Sequence, residues 1–175
     1  MQIAEIKPRR LNLKDAKEIY EALSPEIFLY LKSSPPKSLE EEKMYLKKLI
    51  NEMNKGKSYY YVYREKNAGV AGFGGIKTKG HFAELSLWVR KSLWGKGIGR
   101  AILNHLQKIC SKINKSPIIA CYKHNDRAIK LYLDVGFTKL KNREQIVKIF
   151  GRYEPGLVYF LFNFNQQSFN HAFII

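Results

Sequence analysis

The chain predicts an α/β (α+β) domain with a mixed, mostly antiparallel sheet of six to seven strands and about four helices. Three observations predict it. Short runs of strand formers and longer runs at helical spacing follow one another in the order β-α-α-β-β-β-α-β-α-β-β. Two of the strands, Tyr59 to Arg64 and Gly69 to Ile76, are joined by only Glu65-Lys-Asn-Ala68, a connection that suits an antiparallel pair. The stretch Ala83 to Leu103 then alternates as a strand, breaks through glycines and continues as a helix.

Taken in order, Ile3 to Ile6 reads as a first strand. Asn12 and Asp15 can cap a helix with the stripe Ala16, Ile19, Tyr20 and Leu23, ended by Ser24-Pro25. Glu26 to Pro36, aromatic and with two prolines, reads as irregular. Ser38 and Glu41 form a capping box for a second helix that turns Leu39, Leu46, Leu49, Ile50 and Met53 inward, and Gly56 stops it. The cluster Gly72, Gly74 and Gly75 leaves the third strand, Gly69 to Ile76, thinly clad, which implies a bulge or a close neighbour. From His81 to Val89 the alternation sets Leu85, Leu87 and Val89 against Glu84, Ser86 and Trp88. The helix that follows carries Ile102, Leu103, Leu106, Ile109, Cys110 and Ile113 on one stripe to about Lys112. After the loop Asn114 to Pro117, Ile118 to Tyr122 forms a strand. Asn125 or Asp126 caps a helix with Ala128, Ile129, Tyr132 and Val135, closed by Gly136. Phe137 to Leu140 and Leu157 to Phe162 are the last strands, across an irregular basic segment that contains Pro155-Gly156. Residues 1–163 make one domain, and 164–175 form a tail without clear periodicity.

A length of 175 residues suffices for a core without staples. Cys110 and Cys121 sit in apolar runs and read as reduced, buried thiols, the usage of a cytoplasmic protein. The first ten residues lack the apolar run of a signal peptide, and no stretch reaches membrane-spanning length. No His, Cys or Asp spacing suggests a metal site, and His81 and His124 are lone histidines beside turns. The formal charge is +16, and between Arg90 and Lys130 ten Lys and Arg face Asp126 alone. Such a region steers polyanions, nucleic acid included, although most of these lysines suit a plain solvated surface.

The ten cations surround Trp94-Gly95-Lys96-Gly97-Ile98-Gly99-Arg100. A strand that passes through glycines into a helix start suits anionic phosphate. Glycine lets the backbone come close, the unpaired N–H groups of the first turn point at the oxygens, and the helix dipole adds positive charge. A nucleotide P-loop is excluded because no Gly-Lys-Ser or Gly-Lys-Thr follows. A dinucleotide fingerprint would open a βαβ unit, with an acid about 20 residues on, where this chain has Pro117 and Ile118.

The loop matches Gln/Arg-x-x-Gly-x-Gly/Ala, and Asn125-Asp-Arg-Ala128-Ile129-Lys-Leu131-Tyr132-Leu-Asp-Val-Gly136-Phe137 matches Asn-x-x-Ala-x-x-Leu-Tyr-x-x-x-Gly-Phe. With both motifs, in that order, the chain resembles the GNAT superfamily of N-acetyltransferases. The matching element order extends from residue 3 to about 163. Trp94 stands where the family carries Gln or Arg, but backbone amides do most of the phosphate binding. Trp-Gly-Lys-Gly after an Ala-Glu-Leu strand, and Ser-Leu-Glu-Glu-Glu in the helical first half, look like the RimJ/RimL branch of ribosomal-protein N-acetyltransferases. The RimI type has a catalytic glutamate five residues before the motif Asn; that position is Ala120 here, so its mechanism does not carry over.

The resemblance implies acetyl-CoA as co-substrate, no metal, and a sheet splayed between the fourth and fifth strands. It assigns backbone groups of Leu87, Trp88 and Val89, and Asn125, to the pantetheine arm. Trp94, Gly95, Lys96, Gly97, Ile98, Gly99 and Arg100 fall to the pyrophosphate. Lys130 could also reach a phosphate but reads as plain surface charge. Tyr132 is the implied general acid for the leaving thiolate, against the alternative of a packed core tyrosine. Glu84 is the best base, directly or through water, with a strand glutamate paired to a basic neighbour as an equal alternative. Glu21 and Glu26 are weaker carboxylates on the substrate side. The expected activity is acetyl transfer to a primary amine by direct attack in a ternary complex. The acceptor is a protein or peptide N-terminus, or alternatively a small amine or antibiotic. A non-catalytic acyl-CoA- or RNA-binding module is the other class. RNA or ribosome association fits the charge, no membrane is implied, and either a monomer or a homodimer is compatible. Tyr59, Tyr60, Tyr61 and Tyr63 suit RNA but read first as an aromatic strand.

Overall fold

The computed structural model describes residues 6–164. The tail 164–175 thus lies, beyond its first residue, outside the described residues, as do residues 3–5 of the expected first strand. Among the described residues seven strands, β1 to β7 in chain order, form one sheet in the order β1-β2-β3-β4-β5-β7-β6. The chain divides into two compact units, Met1–Lys77 with Ser86–Leu106, and Thr78–Leu85 with Gln107–Ile175. Among the described residues no helix is long and apolar enough to cross a membrane.

In the first unit, β1 (Ile6–Arg10) pairs antiparallel with β2 (Ser58–Glu65), which pairs antiparallel with β3 (Gly69–Lys79). Asn12 caps a 3-10 turn at Leu13–Asp15: its side chain accepts from the Lys14 N–H, and the buried Asp15 carboxylate accepts from the Asn12 N–H and the Arg9 guanidinium. α1 (Ala16–Ala22) continues from that turn. The segment read as irregular contains one helical turn, α2 (Pro25–Phe28), because Pro25 sits at a helix start, where its missing N–H costs nothing. α3 (Leu39–Asn54) begins as expected at Ser38, whose hydroxyl accepts from the Glu41 N–H. Glu41 corrects the capping box: its carboxylate accepts from the Lys37 N–H, one residue further out.

The glycine cluster shows both expected features. The β2–β3 register shifts between Tyr63 and Arg64. A Cβ at Gly72 would lie 2.6 Å from the Trp88 carbonyl oxygen, and one at Gly75 would lie 2.7 Å from the Tyr60 ring. Leu46, Leu49 and Met53 of α3 join Ile19, Tyr60, Val62, Val70 and Phe73 in the core.

Glu42 occupies an inner position on the same stripe, 4% exposed. Burial, with repulsion from Glu41, pushes its carboxyl up from 4.5 to about 7. A carboxyl raised on folding stabilises fully below its unfolded value, and that contribution is lost as pH rises through the folded value. Glu42→Gln removes the cost of a buried charge. Urea melts should show the variant unchanged at about pH 3.5, below the unfolded value, and more stable at about pH 8.5, by up to about 3 kcal/mol. Equal stability of the two proteins at the higher pH would refute this.

In the second unit, β4 (Phe82–Val89) contributes its first half and pairs parallel with β5 (Ser116–Tyr122) over three residues only, ending at Glu84 opposite Ile118. The expected splay between the fourth and fifth strands fits this short ladder. β5 begins two residues before the expected Ile118, so Pro117 lies inside the strand. β7 (Leu157–Leu161) pairs antiparallel with β5 and with the short β6 (Thr138–Lys139). α4 (Ile98–Lys112) ends in this unit, and α5 (Asp126–Asp134) closes as a Schellman motif. There Phe137 N–H donates to Tyr132 O, Gly136 N–H donates to Leu133 O, and Gly136 has φ 93°.

The segment read as irregular and basic holds a further helix, α6 (Arg143–Phe150). Asn142 caps it through the N–H groups of Glu144 and Gln145, and Gly151 ends it in the left-handed region. Ile146, Ile149 and Phe150 pack with Ile118, Leu140 and Tyr159, with Phe82 and Ala120 at the edge of that cluster. The opposite face of the same strands carries Phe160, against which the Tyr132 ring stands edge-on.

Candidate active site

The glycine loop lies wholly in the first unit. After Val89 the chain makes a 3-10 turn at Lys91–Leu93, Trp94 is extended, and Gly95 and Gly97 take φ of 79° and 81°. Buried Leu93 and Ile98 anchor the two ends. Ala101 N–H donates to Gly97 O in the first turn of α4, and the N–H groups of Ile98 and Gly99 stand at the head of the helix. The Trp94 indole donates to Val89 O at 2.7 Å and meets the Tyr30 ring edge-on. Trp94 therefore braces the loop against the strand it leaves. Lys96 and Arg100 are exposed, and Leu87, Trp88 and Val89 are half-buried, with Trp88 stacked on Phe73. A Cβ at Gly95 would meet nothing within 4 Å, so the loop borders open space there.

The second unit carries the other motif. Asn125 caps α5 through the Ala128 N–H, at 3.1 Å, which engages its carbonyl oxygen and makes its amide NH2 the group it can offer a ligand. Tyr132 is 5% exposed, between Phe137 and Phe160. Burial, with Cys121 adding repulsion, pushes its hydroxyl well above the usual range. It therefore keeps its proton, as an acid must before it acts. Both thiols are buried, and burial pushes Cys110 and Cys121 up to about 12.

Glu84, half-buried on β4, is in the ion-paired arrangement that the sequence leaves open beside the base. Both of its oxygens accept from the Arg152 guanidinium, which also donates to Glu154. The sequence offered no sign of Arg152. By alternation, Glu84, Ile118 and Ala120 face α6, whereas Tyr132 stands on the other face of β5 and β7. Of the weaker carboxylates, Glu26 is held down to about 2, chiefly by its hydrogen bond from Lys91, and Glu21 is exposed, 3.9 Å from Lys17. His81 and His124 are exposed, as their turns suggest, and Lys130 is on the surface.

Residues 17–137 match the acetyltransferase (GNAT) family, and the chain belongs to it. It is an N-acetyltransferase, and acetyl-CoA is the co-substrate that this family uses. Acetyltransferase PseH of Campylobacter jejuni is 30% identical over 132 residues, covering 73% of this chain and 80% of that protein. Among solved structures, RimL, a ribosomal alpha-N-protein acetyltransferase in complex with coenzyme A, superposes with a TM-score of 0.73 at 17% identity. That match covers 89% of this chain and 92% of the other. A ribosomal-protein alanine acetyltransferase from Vibrio fischeri gives 0.72 at 20% identity, over 92% and 93%. At these identities the structural likeness speaks for the fold.

Proposed function

We propose that the protein transfers the acetyl group of acetyl-CoA to the α-amine of a protein or peptide by direct attack within a ternary complex. The observation that carries direct attack is the state of the cysteines. Cys110 and Cys121 are the only thiols in the chain, and both are buried and pushed up to about 12, too poor in thiolate to carry an acyl group. The acceptor reading draws support from the Trp94-Gly95-Lys96-Gly97 loop of RimJ/RimL type and from fold neighbours whose names describe protein α-amine acetylation.

In this reading the amides at the head of α4 and the side chains of Lys96 and Arg100 hold the pyrophosphate. Backbone groups of Leu87, Trp88 and Val89 and the Asn125 amide hold the pantetheine arm. The coenzyme supplies the thioester. Glu84 takes a proton from the acceptor ammonium, directly or through water, and Tyr132 gives one to the departing thiolate. Ala120 faces the same side as Glu84, so β4 supplies the carboxylate that β5 lacks.

Incubation of a peptide library with acetyl-CoA, read by mass spectrometry, should show a gain of one acetyl group on free N-termini. Acetylation of added small primary amines alone would replace the protein acceptor with the small-amine alternative. Acetyl-CoA should also raise the melting temperature, since a ligand at a hundredfold excess over Kd adds about 2.7 kcal/mol. Pantetheine without phosphates should do much less; an equal shift would remove the pyrophosphate role of the loop.

A further inference from the structure

We infer that Arg152 is a positioning residue of the acetyl transfer, fixing the Glu84 carboxylate at the last residue where β4 pairs with β5. The inference rests on the proposed role of Glu84 as base. The family match ends at residue 137, before Arg152. Arg152 follows the helix α6 that sequence periodicity did not reveal.

All three nitrogens of the guanidinium are engaged. Nη1 donates to Glu84 Oε2 at 3.2 Å, Nη2 donates to Glu84 Oε1, and Nε donates to Glu154 Oε1 at 3.0 Å. A planar fork that grips both oxygens of one carboxylate sets its orientation, which a lysine ammonium cannot do. The guanidinium keeps its charge at every working pH, and its hydrogen bond to Glu84 strengthens that charge further.

The backbone that presents Arg152 is itself fastened at several places. Lys79 Nζ donates to Phe150 O at 2.6 Å, immediately before Gly151 turns the chain out of α6. Glu154 N–H donates to the Tyr159 hydroxyl at 2.7 Å, and Lys123 N–H donates to Gly156 O at 2.8 Å. These bonds come from β3, from the residue that follows β5, and from β7. The ion pair is also not a sealed core bridge: the side chains of Glu84 and Arg152 are 27% and 37% exposed. A substrate can reach them.

An unrestrained glutamate on a strand samples several rotamers, most of which point its oxygens away from any one acceptor. Arg152 confines it to one. Oε2, in the longer of the two bonds, is the oxygen that accepts the proton of the ammonium N–H. The N–H electron pair stays on nitrogen and then forms the C–N bond, while the C–S bond breaks and its pair leaves with sulfur.

A double-mutant cycle tests this, with a pool of synthetic peptides bearing free N-termini as acceptor, or butylamine where the pool stays unmodified. Glu84→Gln and Arg152→Gln should each lower kcat roughly ten- to hundredfold, because a misplaced group forfeits its orientation. KM for acetyl-CoA should stay unchanged. The double variant should be no slower than the worse single, and Arg152→Lys, which restores charge without the fork, should recover only part of the loss. Losses that multiply in the double variant, or full rescue by Arg152→Lys, overturn the positioning role. So does a loss in Arg152→Gln that tracks its melting temperature and raises KM for acetyl-CoA. A Glu84→Gln enzyme with unchanged kcat instead removes Glu84 as base, and the Arg152 inference falls with it. The two failures are therefore told apart by which single variant departs from expectation.

Discussion

Tyr132→Phe should lower kcat by about a hundred- to ten-thousandfold, the usual cost of removing a general acid, while acetyl-CoA affinity stays within a few fold. The variant keeps the ring between Phe137 and Phe160, so packing and helix position are retained. The hydroxyl alone is lost. Its burial holds it protonated across the working range, so the wild-type group enters each turnover with a proton to give. Steady-state kinetics with calorimetric titration of acetyl-CoA separates the two quantities. Near wild-type turnover would mean that the thiolate leaves unaided or takes its proton elsewhere, and Tyr132 would revert to a packed core residue. Weakened acetyl-CoA binding alongside slower turnover would point to a binding role for the hydroxyl.

The parts of the site that could be read from the sequence are those encoded over a few residues. Gly95 and Gly97 mark a loop that needs positive φ, and Asn125 and Gly136 bracket a helix with an N-cap and a Schellman closure; all four act as their types predict. The alternation of Leu85, Leu87 and Val89 placed β4 within a residue of its observed start. The glycine-rich β3 was legible as a close approach, although its neighbours Trp88 and Tyr60 were not.

What stayed hidden depends on distance or on a residue acting against its type. The Glu84–Arg152 pair joins positions 68 residues apart, and no local period reports such a partner. α6 is only eight residues long, and its inward stripe is three residues among charged ones. Asn142 and Gly151 were its visible signals, a cap and a stop around a stripe too short to count as a period. Glu42 sits on the inner stripe of α3, but its charge disguised the position. Trp94 was a departure from the family motif in sequence, and its indole hydrogen bond to Val89 gives that departure a mechanical use.

Gly97→Asp should abolish measurable acetyl-CoA binding. Two effects coincide in that substitution, and a companion variant separates them. The first is backbone strain, because φ at Gly97 is 81°, a region that costs a residue with a Cβ about 1–2 kcal/mol. Asn tolerates the left-handed region better than most residues, so Gly97→Asn introduces nearly the same volume with less strain and no charge. The second is electrostatic. A carboxylate placed at the amides of Ile98 and Gly99 accepts the very N–H groups that a phosphate needs, and it repels the phosphate as well. At about 4 Å two unit charges interact by about 4 kcal/mol near a protein surface, a factor of several hundred in affinity. Calorimetry should therefore show Gly97→Asn binding acetyl-CoA about tenfold more weakly than wild type, and Gly97→Asp not at all, with circular dichroism unchanged in both. Equal weakening in the two variants would assign the loop a steric role only. Retained binding in a folded Gly97→Asp protein would remove the phosphate cradle from the head of α4.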